Sequence, residues 1–143
     1  MFSGSKRATQ VGSTQWHDRN PKTIPLYAVE YGGKAGVQTA WSYTVPANRK
    51  AFLEVAFLMV YRATQASSSS QAAAEITYVA GGNACTFATA QISTNNVGDQ
   101  DKAIVGLSVM MKAGDLIYSV WADESTGGEC IFIMSAKLTE FDA

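Results

Sequence analysis

The sequence predicts an all-β protein: a two-sheet antiparallel sandwich of jelly-roll type, carrying an extended N-terminal arm. An immunoglobulin-like sandwich is the alternative. Three observations lead there. About eight short runs alternate apolar and polar residues or are rich in β-branched and aromatic ones. Clusters of Gly, Asn, Ser and Pro separate those runs at regular intervals. No segment of ordinary helix length carries a 3.6-residue period.

Taken in order, residues 1–25 are polar, with two prolines and no period, and read as an extended arm ahead of a sandwich domain at 26–143. Trp16 and His17 stand out there. A tryptophan in a polar tail is explained if it docks on a partner or folds back on its own domain. Residues 26–31 (LYAVEY) alternate, and Gly32-Gly33 ends them. Residues 37–45 (VQTAWSYTV) form a second strand, and Pro46-Ala47-Asn48-Arg49 turns the chain, since proline fixes φ and asparagine tolerates the left-handed region.

Residues 50–62 (KAFLEVAFLMVYR) are the central strand. One alternate set, Ala51, Leu53, Val55, Phe57, Met59 and Tyr61, is wholly apolar and is expected in the core. The other set is apolar too except at Glu54 and Arg62. Its second face must be covered by the opposite layer or by a neighbouring subunit. Phe52, Leu58 and Val60 are the residues expected at a subunit interface.

Residues 64–70 (TQASSSS) are a loop, and 71–75 (QAAAE) have the propensity for a short helical turn before a strand at 75–80. Gly81-Gly82-Asn83 is a hairpin signal leading into 84–92. After a polar loop at 93–101, the segment 102–111 alternates cleanly. Residues 112–115 turn, 116–122 return, 123–128 turn again, and 129–141 close the fold. Cys85 and Cys130 sit in strand-like segments and read as two small buried side chains, able to pair only if their strands are neighbours.

Composition narrows the function classes. A single domain of 143 residues folds without metal or disulfide staples. A net charge of −1 gives no electrostatic reason to expect nucleic acid or an anionic membrane. Only 16% of residues are charged, against about 25% in a typical soluble domain, which suits close contact between protein surfaces. No run reaches the roughly 20 apolar residues of a membrane helix, and the N-terminus lacks the apolar stretch of a secretory signal, so synthesis in a cytoplasm is expected.

Candidate chemistry is sparse. The lone histidine, His17, cannot build a multi-histidine metal site, and neither cysteine has zinc spacing. Asp99, Asp101, Asp123 and Glu124 supply oxygen donors, but neither loop matches a full calcium loop. No nucleophile elbow, phosphate loop or dinucleotide fingerprint occurs. The expectation is therefore no catalytic residue, no cofactor and no metal. The aromatics Trp41, Tyr43, Tyr61, Tyr78, Tyr118 and Trp121 would stack on sugar rings if clustered, but strand aromatics more commonly fill a core or a subunit interface.

Two segments carry a family resemblance. Thr44-Val45-Pro46-Ala47-Asn48-Arg49-Lys50-Ala51-Phe52 resembles the strand, Pro-Ala-Gly-Lys turn, strand opening of small β-sandwich virion proteins of tailed bacteriophages, with Asn48 where the family usually has glycine. Lys112-Ala113-Gly114-Asp115-Leu116-Ile117 resembles a Gly-Asp turn late in the same modules, and similar turns occur in jelly rolls of the tumour-necrosis-factor and C1q type. The likeness spans about residues 40–141.

It implies a capsid decoration (cement) protein, a homotrimer in the virion that is made in the host cytoplasm and clamps the major capsid protein. Lys6, Arg7, Trp16, His17 and Arg19 would form the capsid-docking arm. The alternative is a fibre, spike or tail-tip module whose loops at 67–70, 95–96 and 123–128 bind a host surface glycan. A cellular carbohydrate-binding module is a third reading.

Overall fold

The architecture, a computed structural model, describes residues 19–32, 36–66, 71–93, 96–125 and 129–143. Eight strands follow one another: β1 (Lys22–Tyr31), β2 (Gln38–Thr44), β3 (Arg49–Arg62), β4 (Ala72–Ala80), β5 (Asn83–Ile92), β6 (Gln100–Lys112), β7 (Leu116–Asp123) and β8 (Cys130–Asp142). They form two four-stranded sheets, ordered β1-β8-β3-β6 and β2-β7-β4-β5. All pairings are antiparallel: β4 with β5, β3 with β6, β2 with β7 and β1 with β8, with β3–β8 and β4–β7 completing the sheets. The first four pairs are nested like one long hairpin rolled up, which is the jelly-roll arrangement and not the immunoglobulin one.

Local chemistry sets the turns. The β4–β5 hairpin turns at Gly81 and Gly82, both at positive φ (57° and 83°), as a tight two-residue loop requires. Asn48 adopts φ 63° in the turn before β3, so asparagine does there what glycine would. Asp115 Oδ2 accepts from the Lys112 amide at 2.9 Å, closing its own turn, and from the Tyr78 hydroxyl at 2.9 Å, tying that turn to β4.

Three expectations are corrected. Residues 71–75 are not helical: β4 begins at Ala72 and is paired on both sides, so ladder bonds and the buried Ala72 and Ala74 override helix propensity. The sandwich begins before residue 26, because β1 starts at Lys22 and pairs with Glu140; Pro25 is tolerated within it since β1 is an edge strand. Both cysteines are free and lie in different sheets, with Cys130 buried but Cys85 exposed.

The core fills the space between the sheets. Leu53, Leu58 and Val60 of β3, Phe132, Met134 and Leu138 of β8, Ile76 of β4, and Ile117 and Trp121 of β7 are all buried. Trp121 stacks against Phe132 across the sheets with ring centroids 4.7 Å apart. Trp41 Nε1 donates to the Met134 carbonyl at 3.0 Å, a second tie between layers.

β3 does not keep one parity. Its register slips between Leu53 and Val55 against both neighbours, and Glu54 and Val55 both lie away from the core. Ala51 and Leu53 face inward before this bulge; Ala56, Leu58, Val60 and Arg62 face inward after it. Glu54 is held outside by the Thr139 hydroxyl, which donates to Oε2 at 3.2 Å, and by Lys137 Nζ at 4.0 Å.

An ion-pair cluster closes one end. Arg49 Nε donates to Glu140 Oε1 at 2.8 Å, Arg49 also pairs with Asp142, and the Tyr43 hydroxyl donates to Glu140. Burial alone would raise the Glu140 carboxyl, but the hydrogen bonds from Tyr43 and Arg49, then the charges of Arg49 and Lys22, hold it below its ordinary range. Burial first, and then Glu140, raises the Tyr43 hydroxyl.

Two outcomes follow from these contacts. Deleting Glu54 removes the one extra residue and leaves Leu53 paired with Leu138 and Val55 with Lys137, so Ala56, Leu58 and Val60 stay inward and Phe57, Met59 and Tyr61 stay outward; the deletion variant should keep its β spectrum by circular dichroism, and Glu54→Gln should stay within about 0.5 kcal/mol of wild type. Glu140→Gln should cost about 1–3 kcal/mol near pH 7 in urea melts. Because the folded Glu140 pKa is depressed, its contribution is present above the unfolded value of about 4.5 and is lost as pH falls through the folded value. The gap between the two proteins should therefore narrow below about pH 4.5.

Candidate functional site

The bulge gives the β1-β8-β3-β6 sheet an unusual outer face. Reading across the strands in register, successive outward rows are Tyr31–Ile131–Tyr61–Gln100, Val29–Ile133–Met59–Lys102, Tyr27–Ser135–Phe57–Ile104, Pro25–Lys137–Val55–Gly106 and Thr23–Thr139–Phe52–Met110. Most of these residues are apolar. Ile104 is 72% exposed, Tyr27 66% and Tyr31 54%, and Val55 and Met110 are also open to solvent. Charge within these rows comes from Lys102 and Lys137, with Glu54 against Lys137, and Lys50 and Lys112 continue the same face one row further on.

The face is not flat. Ser135 is small between Tyr27 and Phe57, and the resulting hollow of about 270 Å³ is lined also by Thr23, Pro25, Val55 and Lys137. Such a hollow between two aromatic walls accepts an apolar knob from an opposing surface. The outer face of the other sheet differs. Thr39, Ser42, Thr44, Glu75, Thr77, Thr86, Thr89 and Gln91 run through its rows, around a few apolar residues of β7. An outer sheet face of that kind is what a solvated sandwich normally presents.

Of the three residues expected at a subunit interface, only Phe52 lies on the outer face. Leu58 and Val60 are fully buried inside the chain's own core. The reason is the bulge: beyond Glu54, the outward set is Val55, Phe57, Met59 and Tyr61. The warning in the sequence was Glu54 itself, a carboxylate amid apolar residues that must reach solvent or a partner.

Of the expected docking arm, Lys6, Arg7, Trp16 and His17 lie outside the described residues. Arg19 is described and exposed at the root of the arm. Its carbonyl accepts from the Asp142 amide at 2.6 Å, and its guanidinium lies 5.8 Å from the Phe141 ring centroid. Arg49 also donates to the Asn20 carbonyl at 3.1 Å. The chain therefore enters β1 from a fixed point beside the Arg49–Glu140 cluster.

The six aromatics that would stack on sugar rings if clustered are dispersed. Trp41, Tyr43, Tyr78 and Trp121 pack against or within the core, while Tyr61 and Tyr118 lie on outer faces of opposite sheets. The loops at 67–70 and 126–128, and Asn95, lie outside the described residues.

The acidic turns serve their own backbone. Asp99 accepts from the Asn96 amide at 3.2 Å, Asp101 from the Gln91 and Lys102 amides at 2.9 Å, and Asp123 from the Ser125 amide at 3.0 Å. Among the described residues no three His, Cys, Asp or Glu side chains converge. Burial first, then the Asp123 carboxylate, pushes the Cys130 thiol up to about 11, so it stays protonated and unreactive at neutral pH.

No family model matches the chain, and no curated protein matches its sequence. Among solved structures, it is similar to VP2 of infectious bursal disease virus in a subviral particle, with TM-score 0.39, 12% identity and 85% of this chain covered. The chain spans 32% of that VP2 chain. It is similar to murine APRIL at pH 8.0, with TM-score 0.41 and 12% identity, covering 80% of this chain and 98% of APRIL. It is also similar to dimeric latent PorU from Porphyromonas gingivalis, with TM-score 0.41 and 16% identity, over 85% of this chain and 13% of PorU. None of the three is a close match, and none carries a function across.

Proposed function

We propose that this chain is a structural virion protein that works assembled: a capsid decoration (cement) protein of a tailed bacteriophage, bound to the shell as a homotrimer. The observation that supports this reading is the apolar outer face of the β1-β8-β3-β6 sheet. Five rows across four strands cover about 650 Å² of sheet plane at ~4.8 Å strand spacing and ~3.4 Å rise. Facing an equal area, that makes about 1,300 Å² of contact, above the ~1,000 Å² floor for a specific interface. Aromatic and Met residues with little charge are the composition of an interface core.

The low charge of the whole chain and the turns around Asn48 and Gly114 support the same reading. The role is mechanical and not catalytic. Each copy that binds the assembled shell, but not free capsid subunits, shifts the equilibrium towards the shell by mass action. The sheet face joins copies, and the arm, with Lys6 and Arg7, reaches the capsid.

Native mass spectrometry of the full chain should give about 46 kDa, three copies of 15.3 kDa. A 15.3 kDa species at micromolar concentration would overturn the assembled reading. Ile104→Lys should leave the fold intact, within about 0.5 kcal/mol in the isolated chain, yet lower the native mass. Leu58→Ala should instead cost about 2–5 kcal/mol in the fold itself. Removing residues 1–18 should abolish capsid binding and leave the oligomer intact; unchanged binding would refute the arm's role. Hundreds of copies per particle fit decoration, whereas a few to tens would favour the fibre or tail-tip reading.

A further inference from the structure

A second apolar site lies away from the sheet face, at the corner where the edge strands β5 and β6 part. Leu53, Tyr78, Cys85, Phe87, Leu107 and Val109 line a pocket of about 170 Å³ there. Leu107 and Val109 lie on the inward side of β6, yet they are only half-buried, and residues 83–86 of β5 are exposed. The corner of the sandwich is therefore uncovered. The Tyr78 ring is fixed by its hydrogen bond to Asp115, so one wall is preformed. A dry apolar cavity of about 150 Å³ takes a benzene-sized ring, whereas water needs polar partners that this lining lacks.

We propose that this pocket receives Trp16 from the N-terminal segment of another copy of the chain. The gaps between described segments, 33–35, 67–70, 94–95 and 126–128, contain only Gly, Lys, Ala, Ser, Thr and Asn. Every large apolar side chain outside the described residues therefore lies in residues 1–18, and Trp16 is the one nearest the described chain. Placing it orders the fewest residues.

The described chain starts at Arg19, beside Phe141, at the same end of the sandwich as the pocket. Arg19 accepts from the Asp142 amide on the β1 side of β8, so Val109 of β6 lies three strand spacings across and about four residues along, about 20 Å in a line through the sheet. The three residues from Arg19 to Trp16 span at most about 11 Å, the indole adds roughly 6 Å, and a path around the edge is longer. A chain's own Trp16 thus falls short, and a neighbour's does not face that limit. Both pocket and segment belong to this chain, so the inference holds whatever the assembly binds. With Trp16 seated, Lys6 and Arg7 still lie ten and nine residues ahead of it, free to reach a shell.

Cys85 in the pocket wall supplies the test. In the full chain, Trp16→Cys should give an interchain disulfide under mild oxidation, absent when Cys85→Ser is added. Copies carrying both Trp16→Cys and Cys85→Ser, mixed with unmodified copies, should still cross-link. No cross-link above the Cys85→Ser background, or a disulfide within one chain, would overturn the proposal. Without any new cysteine, maleimide should label Cys85 about tenfold faster in Trp16→Ala than in the unmodified protein, for a docked fraction near nine-tenths. Equal labelling rates would refute it.

Discussion

The one-residue bulge at Glu54 is the constraint on which the rest of this structure depends. β3 is paired on both sides, and β8 and β6 keep one parity past the bulge, so the bulge is what brings β3 into line with both. By turning Glu54 and Val55 outward together, it aligns Leu53, Leu58 and Val60 with the core. It aligns Phe52, Phe57, Met59 and Tyr61 with the outside. An apolar segment with no polar face cannot avoid presenting one greasy set to solvent or to a partner. The bulge decides which set, and the contacts from Thr139 and Lys137 hold it in place.

Much of this was legible in the sequence. Turn chemistry predicted the fold because it is local: Gly81-Gly82 and Asn48 adopt the left-handed conformations expected of them, and Asp115 caps its own turn. Alternation predicted β6 because it contrasts its two faces along a single period. Other features required partners distant in sequence. The Ala-rich start of β4 is a strand only because β5 and β7 flank it, and Lys22 joins β1 only because Glu140 lies opposite.

The candidate surface was half legible. That some apolar residues of β3 needed outside cover followed from composition. Which ones did not, because a bulge moves every residue beyond it to the opposite face while leaving the hydrophobic count unchanged. Leu58 and Phe57 are adjacent and similarly apolar, yet one is core and the other surface. The exposed position of Cys85 was hidden for a related reason. Its segment reads as an ordinary strand, and only the parting of β5 from β6 opens the corner around it.

The edges of the sheets bear on how copies can meet. A β sandwich offers four edge strands to any passing chain, and open edges invite uncontrolled pairing. Here β1 carries Pro25, which has no amide to donate, and the register of β2 breaks between Thr39 and Trp41. The register of β5 breaks against β4, and β6 carries Asp101, Lys102 and Lys112 along its length and an irregularity near Gly106. Each device disfavours strand addition. In the assembly proposed, association would be directed away from the edges and onto the outer face, where side chains and not backbone would make the contact. A face of fixed area and shape saturates when it is covered, whereas an edge exposes a new edge with every strand added. A closed oligomer of the kind proposed would gain from having the first kind of surface and suppressing the second.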